Sequence, residues 1–125
     1  MTSLAHAFAE TASRRGEATA LLFDDARYSF AQLSERAAAV AAALTKRGVH
    51  PGDRVAVGLP NSPELVTAVL GVIHAGAVIV PLNPAYTADE LTYIVGDAGA
   101  RVALVHAEHA AILMDAKLPA LSLIL

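Results

Sequence analysis

The sequence predicts an α/β domain in which a mainly parallel sheet is covered by helices on both faces and preceded by an N-terminal β-hairpin. Three observations carry this. The stretch from Asp53 to Pro84 reads strand, helix, strand. Its two strands, Val55–Val57 and Ala77–Val80, are apolar without alternation, the pattern of strands buried on both faces. Helix-like and strand-like segments keep alternating downstream, and strands joined by a helix pair in parallel through a right-handed crossover.

Each element has its own signals. Leu4 to Arg15 forms an amphipathic helix with Leu4, Phe8 and Ala12 on one side and a basic pair at its carboxyl end. Ala20–Phe23, the turn Asp24-Asp25-Ala26 and Arg27–Ser29 form the hairpin. Ser29 and Gln32 make a capping box for a helix with Leu33, Ala37, Val40 and Leu44 on one face, ended by Gly48. His50-Pro51-Gly52-Asp53 suits a type II turn. Ser62 caps the next helix, Pro63 opens it where a missing N–H costs nothing, and Glu64 sits at the favourable end of its dipole. That helix runs from Leu65 to Ala75, and Gly76 ends it in a left-handed cap. Thr87 and Glu90 form a second capping box, with Leu91, Ile94 and Val95 facing inward and Gly96–Gly99 ending the helix. Arg101–Val105 is a third parallel strand, His109–Lys117 a short helix and Leu121–Leu125 a fourth strand.

Composition narrows the classes. The 125 residues have the size of one domain, residues 1–125. Hydrophobic residues make up 55% and charged ones 17%, which excludes disorder. A net charge of −3 argues against a nucleic-acid partner, which requires a basic face. The absence of cysteine excludes thiol chemistry, and it and the lack of a signal-peptide pattern fit a cytoplasmic protein. The 18 residues Leu65–Leu82 approach the length of a membrane span, about 20 residues. Gly71, His74, Gly76 and Pro81 interrupt them, and the character changes at Gly76. The stretch therefore reads as a buried βαβ unit. The apolar, strand-like carboxyl end suggests a chain cut short, since termini normally fray into solvent.

Ligands bind such sheets at the carboxyl ends of the strands. Asn61 and Ser62 stand there at a helix N-terminus, where an anion could bind, although a helix cap explains them as well. His106-Ala-Glu108-His109 brings two imidazoles and a carboxylate close in sequence, but a metal site needs a third ligand and a helix to align the pair. His74 suits a helix carboxyl end, and the sequence offers no partner for His6 or His50. Neither phosphate-binding glycine motif occurs, and no serine sits on a nucleophile elbow. No catalytic, cofactor-binding or metal-ligating residue is assigned.

Several pieces taken together resemble one family. They are Tyr28-Ser-Phe-Ala-Gln-Leu33, Gly48-Val-His-Pro-Gly-Asp-Arg-Val55, Leu59-Pro-Asn-Ser-Pro-Glu64, Ala75-Gly-Ala-Val78 and Pro81-Leu-Asn-Pro84, with Tyr86-Thr87 and Glu90-Leu91. In order and spacing they resemble the N-terminal part of the AMP-forming acyl-CoA synthetases, members of the adenylate-forming superfamily. Asn83 and Thr87 are more similar to fatty- and aryl-acid CoA ligases than to peptide-synthetase domains, which tend to carry Asp and Pro there.

The resemblance implies a two-step ligase using Mg2+, ATP and coenzyme A. A carboxylic acid substrate attacks the α-phosphate of ATP, giving an acyl-adenylate and pyrophosphate, and the thiol of coenzyme A then displaces AMP. The family's Ser/Thr/Gly-rich loop, its ribose-binding Asp and its C-terminal Lys have no counterpart here. The matching residues Gly52, Asn61, Gly76, Pro81 and Thr87 serve turns and caps. The expectation is an inactive N-terminal portion of an AMP-binding domain that binds no cofactor alone and whose partner is the remainder of the ligase or a second subunit. The alternative is a standalone, non-catalytic α/β interaction or binding module derived from such an enzyme.

Overall fold

Caps, turn residues and apolar periodicity produce eleven elements in the computed structural model, which describes residues 4–124. Helix α1 (Leu4–Arg14) precedes the hairpin β1 (Thr19–Phe23) and β2 (Ala26–Ser29). There follow α2 (Phe30–Lys46), β3 (Arg54–Gly58), α3 (Pro63–His74), β4 (Val78–Pro81) and α4 (Ala88–Ala98). The last are β5 (Val102–Val105), α5 (Ala107–Ala116) and β6 (Leu123–Ile124). The expected fourth strand is thus represented by β6, and Leu125 lies outside the described residues.

The main sheet has the order β4-β3-β5-β6, and every neighbouring pair is parallel. Val55 of β3 lies opposite Ile79 of β4 and Val102 of β5. The period of two along each strand divides the core between the faces. Val55, Val57, Val102 and Leu104 pack with Leu44 of α2 and Val72 of α3. Ala56, Ala103 and Val105 pack with Leu91 and Val95 of α4 and Leu113 of α5. Apolar residues are needed on both faces, which is why these strands show no alternation in sequence. Leu65–Leu82 divides into α3, a turn at Gly76 with φ +78°, and β4. Among the described residues no helix is long and apolar enough to cross a membrane.

Both capping boxes form. Gln32 N–H donates to Ser29 Oγ at 3.1 Å, and Ser29 N–H donates to Gln32 Oε1 at 2.8 Å. Asp53 N–H reaches His50 O at 3.0 Å across the expected turn, where Gly52 takes φ +88°. In the second box Thr87 N–H donates to Glu90 Oε1 at 3.0 Å, and Glu90 N–H donates to Thr87 Oγ1 at 3.3 Å. The Thr87 N–H first, and then its hydroxyl, hold the Glu90 carboxyl below the ordinary glutamate range. A carboxyl depressed in the folded state stabilises above its unfolded pKa, and that contribution is lost as the pH falls through the folded value. Glu90→Gln keeps the accepting oxygen without the charge. Thermal melts taken from neutral pH to below about pH 4.3 should show the parent's advantage over Glu90→Gln disappearing on acidification. A pH-independent difference would contradict this account.

Some boundaries differ from expectation. The hairpin turn is two residues, Asp24-Asp25, because Ala26 pairs with Phe23, and Asp24 takes the φ of +53° that an Asp tolerates. Leu4 is 64% exposed rather than inward, since α1 meets the rest of the chain further along, where the rings of Phe8 and Phe30 lie 5.9 Å apart. Gly96 lies inside α4, and it is Gly99, with φ +63°, that ends the helix. Helix α5 starts at Ala107, two residues before the expected His109, because His106 caps it.

Candidate functional site

The strand order creates one switch point. From β3 the chain moves outward to β4, then crosses back to place β5 on the opposite side of β3. Gly58 and Val105, at the carboxyl ends of these strands, are register partners. The loop 59–62 leads from β3 into α3 on one face, and His106 leads from β5 into α5 on the other. The crevice outside two such diverging strand ends is where open α/β sheets bind ligands.

The polar groups at this edge are engaged locally. Ser62 Oγ accepts from Leu65 N–H at 3.2 Å and donates to Pro60 O at 2.8 Å. Asn61 is exposed beside it. Asn83 Oδ1 accepts from Ala85 N–H at 2.9 Å. Next to the crevice, between α2 and α3, opens an apolar cleft of about 460 Å³ lined by Val40, Leu44, Leu59 and Leu104, with Arg36 and Glu64 also in its lining. The Thr67 hydroxyl, also in the lining, is buried without a hydrogen-bond partner.

The two histidines of the His106–His109 segment come together as stacked rings, with centroids 4.1 Å apart and planes inclined by 33°. His106 Nδ1 accepts from His109 N–H at 3.5 Å, so its proton sits on Nε2, which lies 3.3 Å from Pro84 O. His109 is 2% exposed, and its Nε2 lies 3.1 Å from Tyr86 O. A carbonyl only accepts, so that nitrogen too carries a proton. His109 Nδ1 is buried and has no hydrogen-bond partner. Glu108 is exposed. Among the described residues no group of three His, Cys, Asp or Glu side chains is arranged to hold a metal. The remaining histidines are scattered. His6 Nε2 is 3.9 Å from Glu10 Oε2, His50 N–H donates to Asp53 Oδ2 at 2.8 Å, and His74 is exposed at the end of α3. Sequence reasoning grouped His106 with His109 but missed that they tie α5 to the β4–α4 loop. No local signal pointed to it, because the two contacts span 22 and 23 positions of the chain.

Fold and edge together define a doubly wound α/β platform with its crevice at the ends of β3 and β5. The chain belongs to the AMP-binding enzyme family, whose sequence model matches residues 8–124. It is 45% identical over 108 residues to a methyl-dioxo-octahydroindenyl-propanoyl:CoA ligase of Mycobacterium tuberculosis, covering 82% of this chain and 21% of that one. It is 39% identical over 90 residues to bacitracin synthase 3 of Bacillus licheniformis, covering 72% of this chain and 1% of that one. The anthranilate CoA ligase AuaEII, solved in complex with anthranoyl-AMP, superposes with a TM-score of 0.89 at 31% identity. That match covers 98% of this chain and 24% of the ligase. The resemblance drawn from the sequence and the predicted fold class are both borne out. The chain spans about a fifth of the length of the mycobacterial ligase.

Proposed function

We propose that residues 1–125 are the N-terminal portion of an AMP-binding domain in an AMP-forming carboxylic acid–CoA ligase, working in the cytoplasm on a fatty or aryl acid. The match over residues 8–124 carries this reading. The 45% identity to an acid–CoA ligase, and Asn83 and Thr87, favour a CoA ligase over a peptide-synthetase domain. The residues present do not fit ATP or Mg2+ by themselves. Ser62 and Asn83 already serve their own caps and turns, and the described residues offer no three-residue metal-ligating group. ATP, Mg2+, coenzyme A and the acid are therefore held mainly by the remainder of the ligase, the partner of this portion. The test is pyrophosphate release from ATP with mixed carboxylic acids, Mg2+ and coenzyme A. The 125-residue chain is expected to be inactive, and a longer polypeptide carrying it active. Turnover by the short chain would refute the inactivity, and an inert longer polypeptide would refute the ligase reading.

A second reading is a non-catalytic interaction module that pairs through its sheet edge. It is favoured by the outer strand β4, where Val78 is 50% exposed on an edge with unpaired backbone groups. A monodisperse, cooperatively unfolding chain supports the module. Insoluble or molten material supports the portion of a ligase.

A further inference from the structure

The His106–His109 pair has a geometry that helix capping alone does not require. A cap uses one acceptor at the N-terminus of α5, and His106 Nδ1 supplies it. The two Nε2 atoms are turned elsewhere, toward the carbonyls of Pro84 and Tyr86. Both carbonyls belong to the short loop between β4 and α4, at the same carboxyl edge as the switch point. Among the described residues His109 is the one polar or charged residue buried as a whole, and burying an imidazole with an unpartnered Nδ1 is costly. A leucine would fill the same space without that cost. What leucine cannot do is hold Tyr86 O.

We propose that His106 and His109 are positioning residues, a two-ring clasp on α5 that sets the backbone of the 83–87 loop at the ligand edge of the sheet. At the far end of the loop Thr87 is held by the capping box of α4, and the Tyr86 side chain packs against the core. Within the loop Tyr86 N–H donates to Asn83 O at 3.0 Å and Ala85 N–H to Asn83 Oδ1 at 2.9 Å, and both bonds are internal to the turn. The histidine contacts are hydrogen bonds from outside, and stacking at 4.1 Å makes each ring a wall for the other. The clasp fixes both rings as the Nε2–H tautomer. Its importance for catalysis rests on the ligase reading, whereas the positioning itself does not.

The test therefore reads the loop and not turnover. In the longer polypeptide that carries residues 1–125, amide exchange is followed at Ala85 and Tyr86, with Leu91 in α4 as the internal reference. His109→Leu is expected to keep a cooperative melt while Tyr86 and Ala85 exchange about tenfold faster, the factor that one lost hydrogen bond of ordinary strength gives. His106→Asn restores the cap, because Asn is a good N-cap residue, but cannot reach Pro84 O. It should melt like the parent and still show the faster exchange, whereas His106→Ala should lose both. Imidazole nitrogen shifts should report the Nε2–H tautomer for both rings. Parent-level protection in a folded His109→Leu chain overturns the proposal. So does full rescue of exchange by His106→Asn, or a proton on His106 Nδ1. None of these results bears on whether a longer polypeptide releases pyrophosphate.

Discussion

Val72→Asp is expected to yield a chain that does not fold. Val72 is fully buried, and it packs with Leu44 of α2, Val55 of β3 and Val102 of β5, so it joins two helices to the centre of the sheet. Removing the valine forfeits about 1.5–3 kcal/mol of burial. Placing an unpaired carboxylate there adds several kcal/mol more, or forces it to take up a proton. The whole domain has only about 5–15 kcal/mol to lose. Val69, three residues earlier on the same helix, is only partly buried against the same cluster. Val69→Asp is therefore expected to destabilise less than Val72→Asp, while Glu108→Ala, on the exposed first turn of α5, should change the melt little. Circular dichroism melts of the three variants provide the check. A cooperative, parent-like transition for Val72→Asp would mean that α3 does not lie on the sheet as described.

Gly71→Ala is expected to lower stability, against the helix-propensity scale. Alanine in place of glycine inside a helix is normally favourable by about 1 kcal/mol. Here a Cβ on Gly71 would lie 2.4 Å from Val40 Cγ1, 2.5 Å from Val40 Cβ and 3.2 Å from Ala37 O. The closest contacts are with the branch point of a stiff side chain and with backbone, so α2 and α3 must move apart. Overpacking of this kind costs about 1–3 kcal/mol, enough to cancel or exceed the propensity gain. The double variant Gly71→Ala with Val40→Ala removes only the Cγ1 contact, since alanine keeps the Cβ, and should recover a small part of the loss, whereas Val40→Gly beside Gly71→Ala removes both contacts. Denaturant titration of the single and double variants measures both terms. A more stable Gly71→Ala chain would show that the helices do not approach this closely.

The accuracy of sequence reading followed the range of the interaction responsible. The capping boxes at Ser29 and Thr87 were found because each closes within four residues. The same holds for the turn at Pro51-Gly52 and the left-handed cap at Gly76. The start of α5 was missed because a histidine is an uncommon cap, and Leu4 was misplaced because an apolar stripe does not reveal whether anything covers it. Val69 and Val72 both lie on the apolar side of α3, and only the docked helix reveals that Val72 is the deeper. The family was legible from several local motifs in order, although each alone is only a turn, a cap or a strand.

By itself, the sequence determined which segments are helix or strand, that β3 and β5 are buried on both faces, and to which family they belong. These follow from backbone sterics and apolar periodicity, which act between near neighbours. The same expectation for β4 fails, because it is the outer strand and none of its residues is buried. Tertiary structure alone decided that β5 lies beside β3 and not β4, that the switch point falls at Gly58 and Val105, and that His106 and His109 reach back to Pro84 and Tyr86. Those depend on contacts between residues about twenty or more positions apart, for which local pattern carries no information.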